Sequence, residues 1–117
     1  MAEKIDGEAA VLAAIEAMPE SDRVMAERLH AVIKASAPNI TPRTWFGMPA
    51  YTNGNKILCF FRSRQKFGER YMTLGFNDIA TLDNGNMWPI YFALTKITDA
   101  EEKQIAALIK KAIGGND

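Results

Sequence analysis

The two Trp, three Tyr and six Phe of this chain all lie between Trp45 and Phe92, and the segments on either side hold none. The flanks are built from Ala, Glu, Lys, Ile and Leu, residues that keep their freedom in a helix. The centre mixes aromatics with Gly, Asn, Asp and Pro, the combination that makes strands and tight turns. A chain partitioned in this way folds as helices, then a sheet, then a helix. Its 117 residues suit one domain over residues 1–117, ending in a loose tail at 114–117.

Residues 8–18 predict a first helix closed by Pro19, with Val11, Leu12 and Ile15 on one side. A second runs from Ser21, read as its N-cap, to about Ala37 before Pro38, with Asp22 in the first turn. Met25, Leu29, Val32, Ile33 and Ser36 recur at the spacing of one buried stripe. His30 falls beside that stripe and is expected at the surface. The last helix opens with Thr98-Asp99-Ala100-Glu101, the spacing of a capping box. It buries Ile105, Leu108, Ile109 and Ala112 and stops at Gly114, with Lys110 and Lys111 at the negative end of its dipole.

Asn53-Gly54-Asn55 separates two strand-like runs, a hairpin signal. Residues 70–76 and 90–94 predict further strands, and residues 77–87 predict a long turn with room for one short helical turn. The expected fold class is α+β: an antiparallel sheet of about four or five strands flanked by two N-terminal helices and one C-terminal helix. Alternation places Met72, Leu74 and Phe76 on one face and Tyr71, Thr73 and Gly75 on the other. It likewise splits Ile90, Phe92 and Leu94 from Tyr91 and Ala93, and Ile57, Cys59 and Phe61 from Leu58 and Phe60. A solvated second face should be polar, and this one is small, tyrosine-bearing and partly apolar. It is therefore covered by a helix, used as a pocket floor, or paired with a second subunit; large exposed apolar patches are uncommon on monomers, which favours a homodimer.

Charge and motifs exclude several functions. Lys+Arg and Asp+Glu number 14 each, so no overall field recruits nucleic acid or a membrane surface. The apolar run at residues 9–15 is far short of the ~20 residues that span a bilayer. The N-terminus lacks a signal-peptide pattern, and a lone cysteine, Cys59, suits a reducing compartment, so a cytoplasmic location is expected. No catalytic residue is assigned: there is no nucleophile elbow, Cys59 sits in an apolar strand, and His30 is the single histidine. One His and one Cys cannot build a structural zinc site, and no phosphate-cradling glycine motif occurs, so no metal ligand or cofactor is assigned. Residues 56–70 do concentrate charge: Lys56, Arg62, Arg64, Lys66 and Arg70 face only Glu69. Such a segment is either a solvated loop or a seat for an anionic or planar ligand.

The run Phe46-Gly47-Met48-Pro49-Ala50-Tyr51 resembles the G-M-P-A-Y signature of the YdhG-like family, domain of unknown function 1801. Gln65-Lys66-Phe67, Tyr71-Met72-Thr73-Leu74-Gly75-Phe76 and Asp83-Asn84-Gly85-Asn86-Met87-Trp88-Pro89 are similar to a compact branch of it, over roughly residues 8–113. The resemblance implies a small bacterial cytoplasmic α+β domain whose biochemical role is largely uncharacterised. Some members are described as frataxin-like iron chaperones, a role that needs clustered carboxylates, whereas the prominent charge here is basic. Physically, Gly47 and Pro49 bracket Met48 in a sharp bend that can aim Trp45 and Tyr51 at one place. The resulting expectation is a non-enzymatic module binding a small anionic ligand or a protein partner. Trp45, Met48, Tyr51, Lys66, Arg70, Tyr71 and Trp88 are its candidate residues. An iron chaperone is the second reading and an enzyme of unrecognised type the third.

Overall fold

The computed structural model describes residues 7–64 and 68–114. Helices α1 (Gly7–Glu16) and α2 (Glu20–Ser36) precede strands β1 (Thr41–Trp45), β2 (Met48–Asn53), β3 (Lys56–Arg62), β4 (Met72–Phe76) and β5 (Tyr91–Leu94), and helix α3 (Asp99–Ala112) closes the chain. The strands form one antiparallel sheet in the order β1-β2-β3-β4-β5, so the fold is α+β.

Local chemistry sets the boundaries. Thr98 and Glu101 close the expected capping box: the Thr98 N–H donates to Glu101 Oε1 at 2.7 Å, and the Thr98 hydroxyl accepts from the Ala100 N–H at 3.3 Å. The N-terminus of α2 corrects the sequence reading. Its N-cap is Pro19 and carries no side-chain cap, which leaves Ser21 inside the first turn. Proline already fixes the φ that the entry needs and has no N–H to satisfy. Gly54 and Asn55 form the β2–β3 turn, between the paired residues Asn53 and Lys56. Residues 77–87 hold turns and no helix, and Thr81 from this loop caps α3: its N–H and hydroxyl donate to the Ala112 and Lys111 carbonyls.

All three helices bury their apolar sides in one core with Tyr51, Cys59, Phe61, Met72, Leu74 and Phe76. The alternation in β3 is not continuous as the sequence suggested. Tyr51 pairs with Cys59 and Thr52 with Ile57, so Leu58 is an extra residue. This bulge turns Leu58 into the main core and moves Ile57 to the opposite face, away from Cys59 and Phe61.

His30 is a second correction. It is buried rather than at the surface, with Nδ1 2.8 Å from the Tyr51 hydroxyl and Nε2 3.0 Å from Glu8 Oε2. A carboxylate only accepts, so in the neutral ring Nε2 carries the hydrogen and the tyrosine O–H donates to Nδ1. Lys34 Nζ donates to the other Glu8 oxygen at 2.7 Å, which ties α1 to α2. Hydrogen bonds from Lys34 and then His30 hold the Glu8 carboxyl below the usual carboxylate range. A pKa depressed by folding adds stability above the unfolded value and loses it as pH falls through the folded one. Glu8→Gln should therefore lower Tm at neutral pH by a small amount, about 2 °C for so exposed a pair. Thermal scans from pH 7 to about pH 3 should find that gap closing with acid. A gap constant with pH would remove the ionic contribution.

Candidate functional site

The face opposite the helices carries its own cluster. Met48, Ala50 and Phe60 are buried there, with Trp45 and Ile57 packed against them, and every member comes from a strand. Register aligns the rest of this face: Arg43 opposite Ala50, Ala50 opposite Phe60, Phe60 opposite Gly75, and Gly75 opposite Tyr91. Among the described residues no helix contributes to this cluster. Of the three fates open to the second face, a covering helix is not seen among the described residues, although the end of α1 borders a cleft beside Met48.

What fills the face is a row of aromatic rings. Trp45 and Phe60 meet edge-on at 5.2 Å, and Phe60 and Tyr91 do so at 6.0 Å. Edge-to-face contact is the favoured geometry for such rings. Gly75 makes room beneath the second contact: a Cβ there would lie 2.5 Å from Phe60 Cζ and 3.0 Å from Tyr91 Cε1. At the end of the row the Trp45 and Phe46 rings sit 5.3 Å apart. Phe46 is 82% exposed and adopts a left-handed backbone, φ 51°, followed by Gly47 at φ 77°. These two residues form the β1–β2 turn, with Trp45 paired to Met48. The bend thus lies at Phe46-Gly47, one position before the Met48-centred bend expected from the signature, and Met48 and Pro49 already belong to β2. A bulky side chain in the left-handed region costs about 1 kcal/mol.

Beside the row lies a cleft of about 250 Å³ bordered by Phe60, Arg62, Glu69, Tyr71, Thr73 and Tyr91. Arg62 Nη2 donates to Glu69 Oε2 at 2.7 Å along its wall. The exposed Arg70 guanidinium stands 5.3 Å over the Tyr71 ring. Arg64 leaves the cleft altogether: its Nε donates to Asp22 Oδ1 at 3.1 Å and its Nη2 to the Ser21 hydroxyl at 3.2 Å.

The structure thus divides the residues chosen from sequence. Trp45, Met48 and Tyr71 lie on the bare face with Arg70 beside them. Tyr51 does not join them, because its side chain points to the helix-covered side and is fully buried. Trp88 packs on that main core from the loop before β5. Lys66 lies outside the described residues, as do Gln65, Phe67 and residues 115–117. Sequence reasoning missed Phe60, Tyr91 and Phe46 as site residues. Alternation had already put Phe60 and Tyr91 on the right face; their meeting over Gly75 depends on strand order.

Other chemistry is occupied. Burial pushes the Cys59 thiol up to about 12, where it is inert, and His30 faces Tyr51 and Glu8. Asp99 and Glu102 both pair with Arg28, and Glu101 closes the capping box. Among the described residues no three His, Cys, Asp or Glu gather where they could hold a metal ion, and no helix is long and apolar enough to cross a membrane. No protein-family model, curated protein or solved structure matches the chain.

Proposed function

We propose that this chain is a non-catalytic binding domain, cytoplasmic and of the YdhG-like kind, that takes a flat anionic small molecule on its bare sheet face. The observation that carries the reading is the row Trp45–Phe60–Tyr91, buried at Phe60, half-buried at Trp45 and exposed at Tyr91, with a cleft and an exposed arginine at its side. Aromatic rings offer broad contact at low entropic cost, and a guanidinium matches a carboxylate or phosphate in two-pronged fashion. Phe46 supports the same reading. The turn would be more comfortable with Asn before Gly47, yet the chain holds a large exposed ring there in a strained backbone.

The test is a thermal-shift panel of aromatic carboxylates and phosphates, followed by Trp fluorescence titration of any hit. A ligand at 100 times its Kd should add about 2.7 kcal/mol, or roughly 10 °C in Tm. Arg70→Ala and Tyr91→Ala should each cancel the shift while leaving the ligand-free Tm within about 2 °C. Phe46→Asn should raise the ligand-free Tm by about 3 °C and weaken binding, a pair of opposite effects that a merely structural turn would not give. A panel in which nothing stabilises the wild type sinks the proposal.

A further inference from the structure

The two edges of the sheet are treated differently. At β1 the backbone of α1 comes close, such that a Cβ on Gly7 would lie 2.1 Å from the Pro42 carbonyl oxygen. At β5 the sheet ends in an open groove of about 630 Å³ between the strand and α3. Phe92, Leu94, Ile105 and Leu108 supply its apolar floor, and Glu101 and Lys111 stand at its two ends.

The backbone of β5 faces outward in a defined way. The Phe76 N–H donates to the Ile90 carbonyl at 2.9 Å, which makes that residue pair a hydrogen-bonded one. In an antiparallel ladder such pairs alternate, so Phe92 and Leu94 bond to β4 while the N–H and C=O groups of Tyr91 and Ala93 point away from it. Both residues are exposed. A strand edge of this kind accepts another strand unless it is blunted. Pro89 and Lys96 stand at the two ends of β5, and neither interrupts the segment between them.

The charge along α3 then selects the occupant. Glu101, Gln104, Leu108 and Lys111 recur along one side of the helix and all border the groove. The stripe is acidic at its first turn, carries Gln104 and Leu108 in the middle and is basic at its last turn. A two-fold axis normal to the sheet would run β5 antiparallel to its copy and, above it, α3 antiparallel to its copy. Glu101 of each protomer would then approach Lys111 of the other, twice over, with Leu108 of each opposite Gln104 of the other between them. An isologous interface has to be complementary to itself, and this stripe meets that condition.

We infer that the β5 edge and the exposed side of α3 form a two-fold interface with a second copy of this chain, joining the two sheets into one of ten strands. The inference is independent of the ligand proposed above, although the joined sheets would set two aromatic rows on one continuous face. It also moves the expected dimer contact from the sheet face to the sheet edge, which leaves the bare face open.

Light scattering on the wild-type chain at several hundred micromolar should give twice the mass of one chain. Ala93→Pro removes an N–H that points away from β4, so the sheet should survive and the dimer should not. Lys111→Glu sets like charges together at both ends of the stripe and should weaken association about tenfold. Adding Glu101→Lys to that variant restores opposite charges across the two-fold axis and should recover part of the loss, the remainder reflecting the capping box that Glu101 closes at Thr98. Circular dichroism of each dilute variant checks the fold, and should Ala93→Pro unfold, the charge exchange decides alone. A monomeric wild type overturns the inference, whether or not the groove takes a peptide of another protein. So does a dimer indifferent to Lys111→Glu.

Discussion

Tyr51→Ala should lower stability by about 4 kcal/mol, the largest single-residue effect expected in this chain. The ring is fully buried, stacks on Phe61 at 6.1 Å between centroids, and puts its hydroxyl 2.8 Å from His30 Nδ1. Truncation would open a cavity beside Phe61 and α2 and take the partner from a buried imidazole. Domains of this size hold about 5–15 kcal/mol in total, so the variant should melt roughly 15 °C lower. Tyr51→Phe separates the two contributions. It keeps the ring and loses the hydroxyl, for about 1 kcal/mol. The same pair of variants tests the placement of Tyr51 against its sequence reading as a ligand residue. If Tyr51→Phe left Tm unchanged and abolished binding of an anion, the residue would belong to the site and not to the core.

The fate of Tyr51 illustrates where sequence reading stopped. Period and capping are local, and they located α3 with both halves of its capping box, the Gly54–Asn55 turn, and the alternating faces of β4 and β5. The bulge at Leu58 is not local. It is defined by what β2 places opposite β3, so Ile57 was assigned to the wrong face. His30 sits one residue from Leu29, and a single stripe at helical spacing leaves it outside; the buried face of α2 is wider and takes in Asp22, Ala26 and His30 as well. The bare face was legible as an anomaly of composition, whereas its aromatic row needed the strand order to bring Trp45, Phe60 and Tyr91 together. The basic segment was legible as charge and misleading as a site. Nothing in the spacing of residues 56–70 says that Arg64 turns back to α2, across 42 positions of chain, while Arg62 turns to Glu69.

Asp22 should prove that point by its cost. Its side chain is 0% exposed, accepts a short hydrogen bond from the Ser63 hydroxyl, and receives Arg64 Nε at 3.1 Å. It thereby fastens the first turn of α2 to the chain leaving β3, next to the positive end of the helix dipole. Asp22→Ala withdraws the acceptor from both donors at once. Breaking a fully buried pair costs about 3–5 kcal/mol, and the lower end applies here because the Arg64 side chain is 28% exposed. The expected loss is about 3 kcal/mol, or roughly 12 °C in Tm. Asp22→Asn keeps an oxygen for Ser63 and should lose about half as much. Arg64→Ala should cost less again, since water can reach the carboxylate through the space vacated, and it should leave anion binding at the bare face intact. An Asp22→Ala protein that melts within about 2 °C of wild type would show the cluster to be a surface contact. An Arg64→Ala protein that keeps its Tm and loses the anion would return Arg64 to the binding site, and the basic segment would then be the seat that its charge suggests.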